Sequence, residues 1–337
     1  MPTVKPKIAI VLANLGGPDS LGAVRPFLFN LFYDRAILRL PNPLRFFLAL
    51  LISCAREKKA RGIYFLLGGK SPLLQNTLAQ ARALKRSLEK DFDVLVVPVM
   101  RYWRPRARDV MDVLSAFNPD RVVFLPLYPQ FSTTTTESSI KEWMSVAPQW
   151  AARTSVIDCY FANVNFIAAH QELIRPVLRE ASLIGVPRIL FSAHGLPKKI
   201  VDGGDPYQKQ IEATVALVMK KFEGVDFSIC YQSRVGLMEW IGPSLGGELK
   251  RAAQEGLLVV VVPISFVSEH SETLVELDIE FAEKAREWGV AFYGRVPAIG
   301  AHPLFVKCLN ELVRSLLKEP ANLESYCLER LYRGLRL

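Results

Sequence analysis

Two of the four histidines stand where a side chain could do chemistry. His194 ends an apolar, strand-like run in "FSAHGLP" (191–197), and the glycine after it leaves its ring accessible. A histidine with a pKa near neutral at such a place can accept a proton or hold a metal ion. His170 lies in a helical pattern and His302 just before a proline, so both are interpreted as structural residues.

A second candidate centre is the segment "HSETLVELDIE" (270–280), which also follows an apolar run. His270 and Glu272 begin it, and an imidazole and a carboxylate that reach one point can form a mixed metal site or a proton-abstracting pair. The H-E-x-x-H spacing of zinc enzymes does not occur in the chain, so we expect no permanently bound structural metal.

The same segment raises a question of charge. Read as an α-helix, it places Glu272, Glu276 and Glu280 at successive i, i+4 positions. Like charges at that spacing destabilise a helix by about 0.2–0.5 kcal/mol per pair. The commonest explanation of such a run is a solvated helix face, and the residues alone do not decide whether these acids do more.

The elements that must position these residues are short apolar segments that alternate with amphipathic helical ones. Near-continuous apolar strands separated by helices indicate parallel sheets covered on both faces. The predicted strands are Ile8–Asn14, Val94–Met100, Arg121–Leu127, Ser155–Cys159, Arg188–Ala193, Phe227–Tyr231, Leu257–Ile264 and Val290–Tyr293.

The strands divide into two similar halves, each of which begins alike, with "IAIVLANLGGP" (8–18) and "RILFSAHGLP" (188–197). We therefore predict an α/β protein with two similar Rossmann-like domains, each a four-stranded parallel sheet flanked by helices, with an active-site cleft between them. The predicted parts are an N-terminal domain at 1–182, a C-terminal domain at 183–305 and a helical segment at 306–337.

Composition restricts the function classes. The net charge is +9 among 337 residues, which indicates an anionic partner, but no nucleic-acid-binding motif accompanies it, so nucleic acid ranks lowest. The five cysteines form no C-x-x-C pair, which favours a reducing, cytoplasmic location. No G-x-G-x-x-G follows the first strand, so nucleotide binding has little support.

Residues 27–52 depart from the pattern, being densely apolar, sparsely basic and interrupted by two prolines. One interpretation is a pair of core-packed helices. The other is an apolar lip that touches a membrane surface, with Arg35, Arg39 and Arg45 meeting lipid headgroups.

Seven ordered segments carry a resemblance to a known family. They are "LANLGGP" (12–18), "GGKSPL" (68–73), "MRYW" (100–103), "LYPQFS" (127–132), "FSAHGLP" (191–197), "YQSRVG" (231–236) and "PISFVSEHSETLVELDIEF" (263–281). In these the chain resembles the ferrochelatases, which insert ferrous iron into a porphyrin in the last step of protoheme synthesis.

The resemblance implies roles for the candidate residues. His194 and Glu272 would face each other across the macrocycle as the catalytic pair, and one of them, usually taken to be the histidine, would accept the pyrrole N–H protons. Glu276 and Glu280 would hold or pass a hydrated divalent cation behind Glu272, so the predicted metal ligands are His194, Glu272, Glu276 and Glu280. The implied porphyrin-pocket residues are Arg56, Ser71, Arg101, Tyr102, Tyr128, Trp240, Phe266 and His270, with Arg56, Ser71 and Arg101 as partners of the propionates.

The resemblance also implies the substrates and the location. The loop "NLGGP" lacks the tyrosine of the coproporphyrin-using branch, which favours protoporphyrin IX, with ferrous iron as the second substrate. Cys308 and Cys327 are isolated and Thr133 stands where a cysteine can occur, so we expect no [2Fe–2S] cluster and no permanently bound cofactor. Residues 27–52 fall where the family has its membrane-contacting lip, so we expect a cytoplasmic protein in peripheral contact with the inner membrane surface.

Two other functions stay open at this point. A chelatase for another metal–tetrapyrrole pair would share the fold, and a non-catalytic porphyrin or heme carrier could be built on the same scaffold. The oligomeric state is not indicated by any feature of the sequence.

Overall fold

A computed structural model describes residues 5–234 and 238–319. Cys327, residues 235 and 236 of the "YQSRVG" segment and residues 320–337 of the predicted C-terminal segment lie outside the described residues. The chain divides into two compact units, the first made of Met1–Tyr160 with Val306–Leu337 and the second of Phe161–Phe305.

The first unit is built on a four-stranded, all-parallel sheet. Its strands are β1 (Lys7–Asn14), β2 (Asp93–Met100), β3 (Arg121–Pro126) and β4 (Thr154–Val156). Their order across the sheet is β2-β1-β3-β4. Every residue of β1 after Lys7 is buried, which explains why this strand reads as an uninterrupted apolar run.

Helices cover the first sheet. They are α1 (Val24–Phe32), α2 (Asn42–Leu66), α3 (Leu73–Leu88), α4 (Met111–Phe117) and α5 (Thr136–Val146). Trp143 of α5 packs against Phe124 of β3 with ring centroids 5.6 Å apart, in a cluster that also buries Val11 of β1. This cluster forms the core on one face of the sheet.

The second unit repeats the arrangement. Its strands are β5 (Pro187–His194), β6 (Asp226–Gln232), β7 (Leu258–Pro263) and β8 (Tyr293–Arg295), in the order β6-β5-β7-β8, and all pairs are parallel. The first strand of each unit thus lies between the second and the third. The predicted pair of four-stranded parallel sheets flanked by helices is confirmed.

The predicted strand Val290–Tyr293 was wrong in its position, because β8 begins only at Tyr293. The residues before it end a helix. Gly289 has a φ of 82°, and the Val290 N–H donates to the carbonyl of Ala285 at 2.9 Å. This is the hydrogen bonding of a helix C-terminus closed by a left-handed glycine, so Val290 is not available to begin the strand.

The helices of the second unit complete the description. They are α6 (Val164–Ser182), α7 (Lys198–Asp202), α8 (Tyr207–Met219), α9 (Leu245–Gln254), a π-helix (Glu272–Phe281) and α10 (Ala282–Glu287), and they are followed by α11 (Pro303–Leu317). Helix α6 contacts α8, β5, β7 and β8. These contacts place α6 with the second unit, whereas the sequence analysis assigned it to the N-terminal domain.

The apolar segment at 27–52 has features of both of its interpretations. Phe27 and Leu28 of α1 and Ala49 of α2 are buried, as in a packed pair of helices. The outer side of α2 nevertheless carries an exposed apolar surface, on which Phe47 is 67% and Leu51 66% accessible. We call this surface the α2 apolar surface; it comprises Leu44, Phe46, Phe47, Leu50 and Leu51. Within residues 5–234 and 238–319, none of the helices has the length and apolar character needed to cross a membrane.

His170 is an unusual member of the core of the second unit. It lies on α6, is only 1% exposed and meets the Phe166 ring edge-on at 4.8 Å. Neither of its ring nitrogens has a hydrogen-bond partner in the described part of the chain. Burial, with a smaller effect of the nearby His302, lowers the pKa of His170 to about 3, so it stays neutral in the folded protein.

We expect His170 to make the protein sensitive to acid. The unfolded histidine takes up a proton below its ordinary pKa of 6.5, whereas the folded one does not until about 3, so stability is lost as the pH falls between these values. At about pH 4.5 this amounts to roughly 3 kcal/mol. His170→Leu should therefore remove that part of the pH dependence of the free energy of unfolding, as measured by urea denaturation at about pH 7 and pH 4.5.

The matched control is His302→Gln, because His302 lies in the same unit but is only partly buried, with its Nε2 3.3 Å from the Glu172 carboxylate. That variant should keep the loss of stability in acid. An equal loss in wild type and His170→Leu would show that other groups cause it.

Candidate active site

The predicted catalytic residues of the second unit meet at one edge of its sheet. His194 is the last residue of β5 and pairs in register with Gln232, the last residue of β6. Glu272 begins the π-helix that follows β7. The carboxyl ends of parallel strands lie on one edge of a sheet, and ligands bind there in open α/β folds.

His194 and Glu272 are in direct contact. The His194 Nδ1 lies 2.8 Å from the Glu272 Oε2, and the two side chains are 40% and 26% exposed, so a ligand can reach both. The His270 Nε2 lies 3.8 Å from the same carboxylate oxygen. The structure thus brings together three residues that the sequence analysis singled out.

The electrostatics of this pair favour an imidazolium beside a carboxylate. Burial disfavours the charged imidazole, but the Glu272 carboxylate, its hydrogen bond and the charge of Glu276 outweigh burial and raise the pKa of His194. Burial likewise acts to raise the pKa of Glu272, but His194 and His270 outweigh it and hold that pKa well below its usual range. His194 therefore keeps its proton to a higher pH than a free histidine does, and only its neutral form can accept a pyrrole proton.

Glu276 is held by the end of β6. Its Oε1 accepts a hydrogen bond from the Ser233 N–H at 2.9 Å, and its Oε2 accepts one from the Ser233 hydroxyl at 2.5 Å and one from the Gln232 Nε2 at 3.1 Å. Gln232 is in turn fixed by the Ser192 hydroxyl, which donates to its Oε1 at 2.6 Å. Burial and the nearby Glu272 charge raise the pKa of Glu276 despite these bonds.

Glu280 differs from the other two glutamates. Among the described residues it takes part in no hydrogen bond or ion pair. In residues 5–234 and 238–319, no three or more His, Cys, Asp or Glu side chains are arranged to hold a metal ion together. The side chains that could contribute to a transient metal site are therefore the His194–Glu272 pair, with Glu276 next along the helix.

The predicted α-helical spacing of the three glutamates was wrong, because residues 272–281 form a π-helix. A π-helix closes i→i+5 hydrogen bonds, and such turns are frequent at functional sites. Side chains of β8 form hydrogen bonds with this helix. The Tyr293 hydroxyl donates to the Leu277 carbonyl at 2.8 Å, and Arg295 donates to both carboxylate oxygens of Asp278 at 2.5 and 2.6 Å. Arg295 also donates to Glu269 at 2.6 Å, which ties the helix to the segment before it.

The glycine of "FSAHGLP" is required by close packing. A Cβ on Gly195 would lie 2.9 Å from the Gln232 carbonyl oxygen and 3.2 Å from the Trp240 ring. Trp240, a predicted pocket residue, therefore packs beside the residue that follows His194. Phe266, another predicted pocket residue, lies with its ring centroid 4.8 Å from that of His270.

Two predicted pocket residues of the first unit, Arg101 and Tyr102, belong to a network of charged and polar side chains around Asp34. Arg101 donates from Nη2 to Asp34 at 2.8 Å and from Nε to Ser138 at 2.9 Å, and its Nη1 lies 3.3 Å from Glu142. Tyr102 is 1% exposed and its hydroxyl donates to Asp34 at 2.8 Å, so it offers almost no surface to a ligand. The structure thus shows Arg101 and Tyr102 as partners of Asp34.

Three other predicted residues lie elsewhere in the first unit. Tyr128 follows β3, and burial raises its pKa above the usual range. The Ser71 N–H donates to the Pro18 carbonyl at 2.8 Å, and a Cβ on Gly17 would lie 2.5 Å from the Ser71 side chain. The Arg56 guanidinium lies over the Phe32 ring, 5.5 Å from its centroid.

Four residues that hold the named ones in place were not predicted from the sequence: Asp34, Glu142, Ser233 and Arg295. Ser233 lies within the recognised segment "YQSRVG", so position could have pointed to it. Asp34 and Glu142 lie away from the strand ends, and Arg295 ends β8, which was predicted too early in the chain. Only the folded chain brings these three residues to their partners.

Comparison with known proteins identifies relatives. The family model described as Ferrochelatase matches residues 7–317. A protein named Ferrochelatase from Wolbachia sp. subsp. Drosophila simulans (strain wRi) is 52% identical over 92% of this chain and 99% of its own length. Another of that name, from Caulobacter vibrioides (strain NA1000 / CB15N), is 49% identical over 95% of this chain and 94% of its own length.

Solved structures show the same fold at much lower identity. SirB from Bacillus subtilis with Fe3+ is 12% identical, with a TM-score of 0.57, over 94% of this chain and 100% of its own. CbiX, described as the terminal enzyme for biosynthesis of siroheme in denitrifying bacteria, is 10% identical, with a TM-score of 0.51, over 92% of this chain and 98% of its own. These similarities establish a common fold.

Proposed function

The chain belongs to the ferrochelatase family, and we propose that the contact between His194 and Glu272 is the centre at which it inserts ferrous iron into protoporphyrin IX. Its relatives at about half identity make it an enzyme, a lyase of heme biosynthesis that inserts iron into a porphyrin. Iron is therefore a substrate, and the proposal requires neither a resident cofactor nor a [2Fe–2S] cluster.

The reaction needs a base and anionic ligands, because insertion removes two pyrrole protons and replaces the water around Fe²⁺. The Nδ1 of His194 faces Glu272, which leaves Nε2 as the nitrogen for the substrate. Neutral His194 accepts a pyrrole proton at Nε2. The resulting imidazolium then releases its Nε2 proton to solvent, while Glu272 keeps the hydrogen bond to the Nδ1–H, so that Nε2 can accept the second pyrrole proton.

Glu272 also supplies an oxygen ligand to the arriving metal. Ferrous iron accepts mixed nitrogen and oxygen ligands, and a carboxylate that is ionised over the whole physiological range suits this role. Glu276 adds a second carboxylate, whose three hydrogen bonds to Ser233 and Gln232 fix its direction. The Gln232 Nε2 also donates to the backbone carbonyl of Glu272 at 3.0 Å, so one amide group contacts both glutamate residues and fixes their relative position.

The observation that carries the proposal is the 2.8 Å contact between two accessible side chains at the carboxyl edge of the sheet. The test is anaerobic incubation of the protein with protoporphyrin IX and Fe²⁺, or Zn²⁺ as a surrogate, with loss of porphyrin fluorescence as the readout. Coproporphyrin should be a poorer substrate. Tight porphyrin binding without turnover would instead make the chain a porphyrin carrier.

Glu276 and Glu280 should differ in their effect on iron. Because Glu276 lies beside Glu272 and is fixed by Ser233, we expect Glu276→Gln to raise the apparent KM for Fe²⁺ about tenfold with a smaller change in kcat. Glu280→Gln makes the same chemical change at a residue without such bonds, so it serves as the matched control. If neither variant changed the KM, both residues would belong to a solvated helix face.

The predicted propionate partners keep that role as part of the proposal. Arg56 stands over an aromatic ring with its charge unpaired by any carboxylate among the described residues. Ser71 lies against Gly17 of the "LANLGGP" segment. Arg101 forms ion pairs with Asp34 and Glu142 and donates a hydrogen bond to Ser138. A propionate would therefore compete with these groups for its guanidinium.

We propose peripheral contact between the α2 apolar surface and the inner membrane surface. A contiguous exposed apolar surface of this kind marks an interaction site. Arg45 lies among its residues and has its guanidinium 5.2 Å from the centroid of the Tyr33 ring, next to Asn42. A basic side chain beside exposed phenylalanines is typical of segments that lie on an anionic bilayer.

The membrane proposal predicts that Phe47→Ser with Leu51→Ser weakens sedimentation with anionic vesicles at low salt, because burial of each side chain contributes about 1.5–3 kcal/mol. Leu183→Ser with Ile184→Ser is the matched control, since those residues are exposed apolar side chains of the second unit. Equal sedimentation of both double variants and wild type would remove the α2 apolar surface from membrane binding.

A further inference from the structure

A cavity in the first unit has no part in the chemistry described above. Its volume is about 280 Å³, and it is lined by Asn30, Trp103, Arg104, Arg106, Arg108 and Asp109. Asn30 belongs to α1, and the other five residues follow β2 closely in the chain. Loops at the carboxyl edge of a parallel sheet are where ligands bind in this class of fold.

The lining of the cavity is positively charged. Three arginines and one aspartate give it a net charge of +2. Arg106 pairs with Glu142, but Arg104 and Arg108 are exposed and form no ion pair within the described ranges. The Asp109 Oδ2 accepts a hydrogen bond from the Arg106 backbone N–H at 2.9 Å. The single acidic residue of the lining is therefore bonded to the backbone and not to Arg104 or Arg108.

Two of the residues that line the cavity also carry buried donors without acceptors. The Trp103 Nε1–H and the Arg106 Nε–H are buried, and neither has a hydrogen-bond partner in the part of the chain that the structure describes. A buried donor that lacks a partner costs about 1–3 kcal/mol. An acceptor bound in the cavity would recover this free energy once the Trp103 and Arg106 side chains turn these donors toward it.

We propose that this cavity binds a phosphate-type oxyanion. Guanidinium groups present paired N–H donors that match the oxygens of phosphate, and an indole N–H is a donor only. Arg104 and Arg108 supply the unpaired charge, and Trp103 and Arg106 supply the buried donors. A ligand with several charged oxygens can engage these groups together, whereas a neutral ligand leaves two guanidinium charges unpaired.

The phosphate can come from a lipid headgroup or from free phosphate. Asn30 lies on α1, which packs along α2, the helix with the exposed apolar surface. The lipid source is favoured because one helix pair then carries both an apolar surface for acyl chains and a site for a headgroup. This proposal does not rest on the assignment of His194 and Glu272.

The test compares wild type with Arg104→Ala/Arg108→Ala in two arms. In the first, calorimetric titration with inorganic phosphate should show binding that the double variant weakens about tenfold or more. In the second, co-sedimentation with phosphatidic acid–phosphatidylcholine vesicles should weaken about as much, with pure phosphatidylcholine as the baseline. Lys220→Ala/Lys221→Ala removes the same charge from an exposed turn of the second unit and should leave both results unchanged.

A second variant tests the buried donors without removing charge. Trp103→Phe keeps an aromatic ring and loses the N–H, so it should weaken phosphate binding by a smaller factor than the double arginine variant.

The outcomes separate the sources. Loss in both arms supports a headgroup site, and loss in the phosphate arm alone supports a site for free phosphate. Equal binding by wild type and the arginine variant in both arms overturns the proposal. A raised porphyrin KM in the arginine variant, with no change in either arm, also overturns it, because the arginines would then serve propionates.

Discussion

Replacing His194 with alanine is expected to lower kcat for iron insertion by about 10²–10⁴-fold, the range usual for loss of a positioned base. The side chain is partly exposed and lies at the end of β5, so its removal leaves no cavity in the core. The fold and the affinity for porphyrin should therefore persist. The measurements are single-turnover insertion of Zn²⁺, porphyrin binding by fluorescence, and circular dichroism.

The matched control for that experiment is His302→Ala, which removes a histidine that contacts Glu172, away from His194 and Glu272. Its kcat should match that of wild type. Added imidazole should partly restore turnover in His194→Ala, because the space that it would enter opens to solvent. Normal turnover in His194→Ala would show that another group takes the pyrrole protons.

The raised pKa of His194 gives the wild-type enzyme a defined dependence on pH. The imidazole accepts protons only when neutral, so kcat/KM should rise with pH through the pKa of His194, which lies above 6.5. Burial alone would lower the pKa of His194, but the Glu272 carboxylate raises it. Glu272 therefore shifts the acid limb of the pH–rate profile to higher pH.

The fold could be predicted from sequence because its signals are local. The strands of both sheets are short apolar runs, and the turns "NLGGP" and "HGLP" mark where the first strand of each unit ends. Gly16 has a φ of 87°, and a Cβ there would lie 2.9 Å from the Met100 side chain. This turn therefore requires a glycine, which is why it can be read from the sequence. The positions of His194 and Glu272 follow from the same rule, since His194 ends β5 and Glu272 begins the helix that follows β7.

The rest depends on contacts between distant parts of the chain. The π-helix is accompanied by bonds from Tyr293 and Arg295, which no periodicity in residues 272–281 reveals. Arg101 ends a strand, as a ligand-binding residue does, yet Asp34 and Glu142 engage it from other elements. Sequence position thus predicts which residues reach the edge of a sheet and leaves their partners undetermined.

Glu272 and His194 depend on each other, and the chemistry of one is set by the other. The carboxylate lies 2.8 Å from the imidazole, lowers the free energy of the protonated ring and is itself kept ionised by that charge. A change at Glu272 therefore acts both on the metal and on the base.

Glu272→Gln is expected to lower iron insertion about 10²-fold or more, because it removes an anionic ligand and the negative charge that stabilises protonated His194, while keeping the shape of the side chain. It should also lower the pKa of His194, since burial still disfavours the imidazolium and the carboxylate that opposed burial is gone. The pKa is measured by NMR titration of the His194 ring, and the acid limb of the residual activity should move to lower pH.

The same chemical change at Glu280 provides the control, because it lies on the same π-helix without a bond to His194. Glu280→Gln should leave the pKa of His194 where it is in wild type. If Glu272→Gln abolished activity without moving that pKa, Glu272 would act on the metal alone. If the pKa fell while insertion of iron stayed at the wild-type rate, the carboxylate would tune the base without binding the metal. The proposed dual role requires both changes together, since one carboxylate oxygen faces the imidazole and must also be released to the arriving cation.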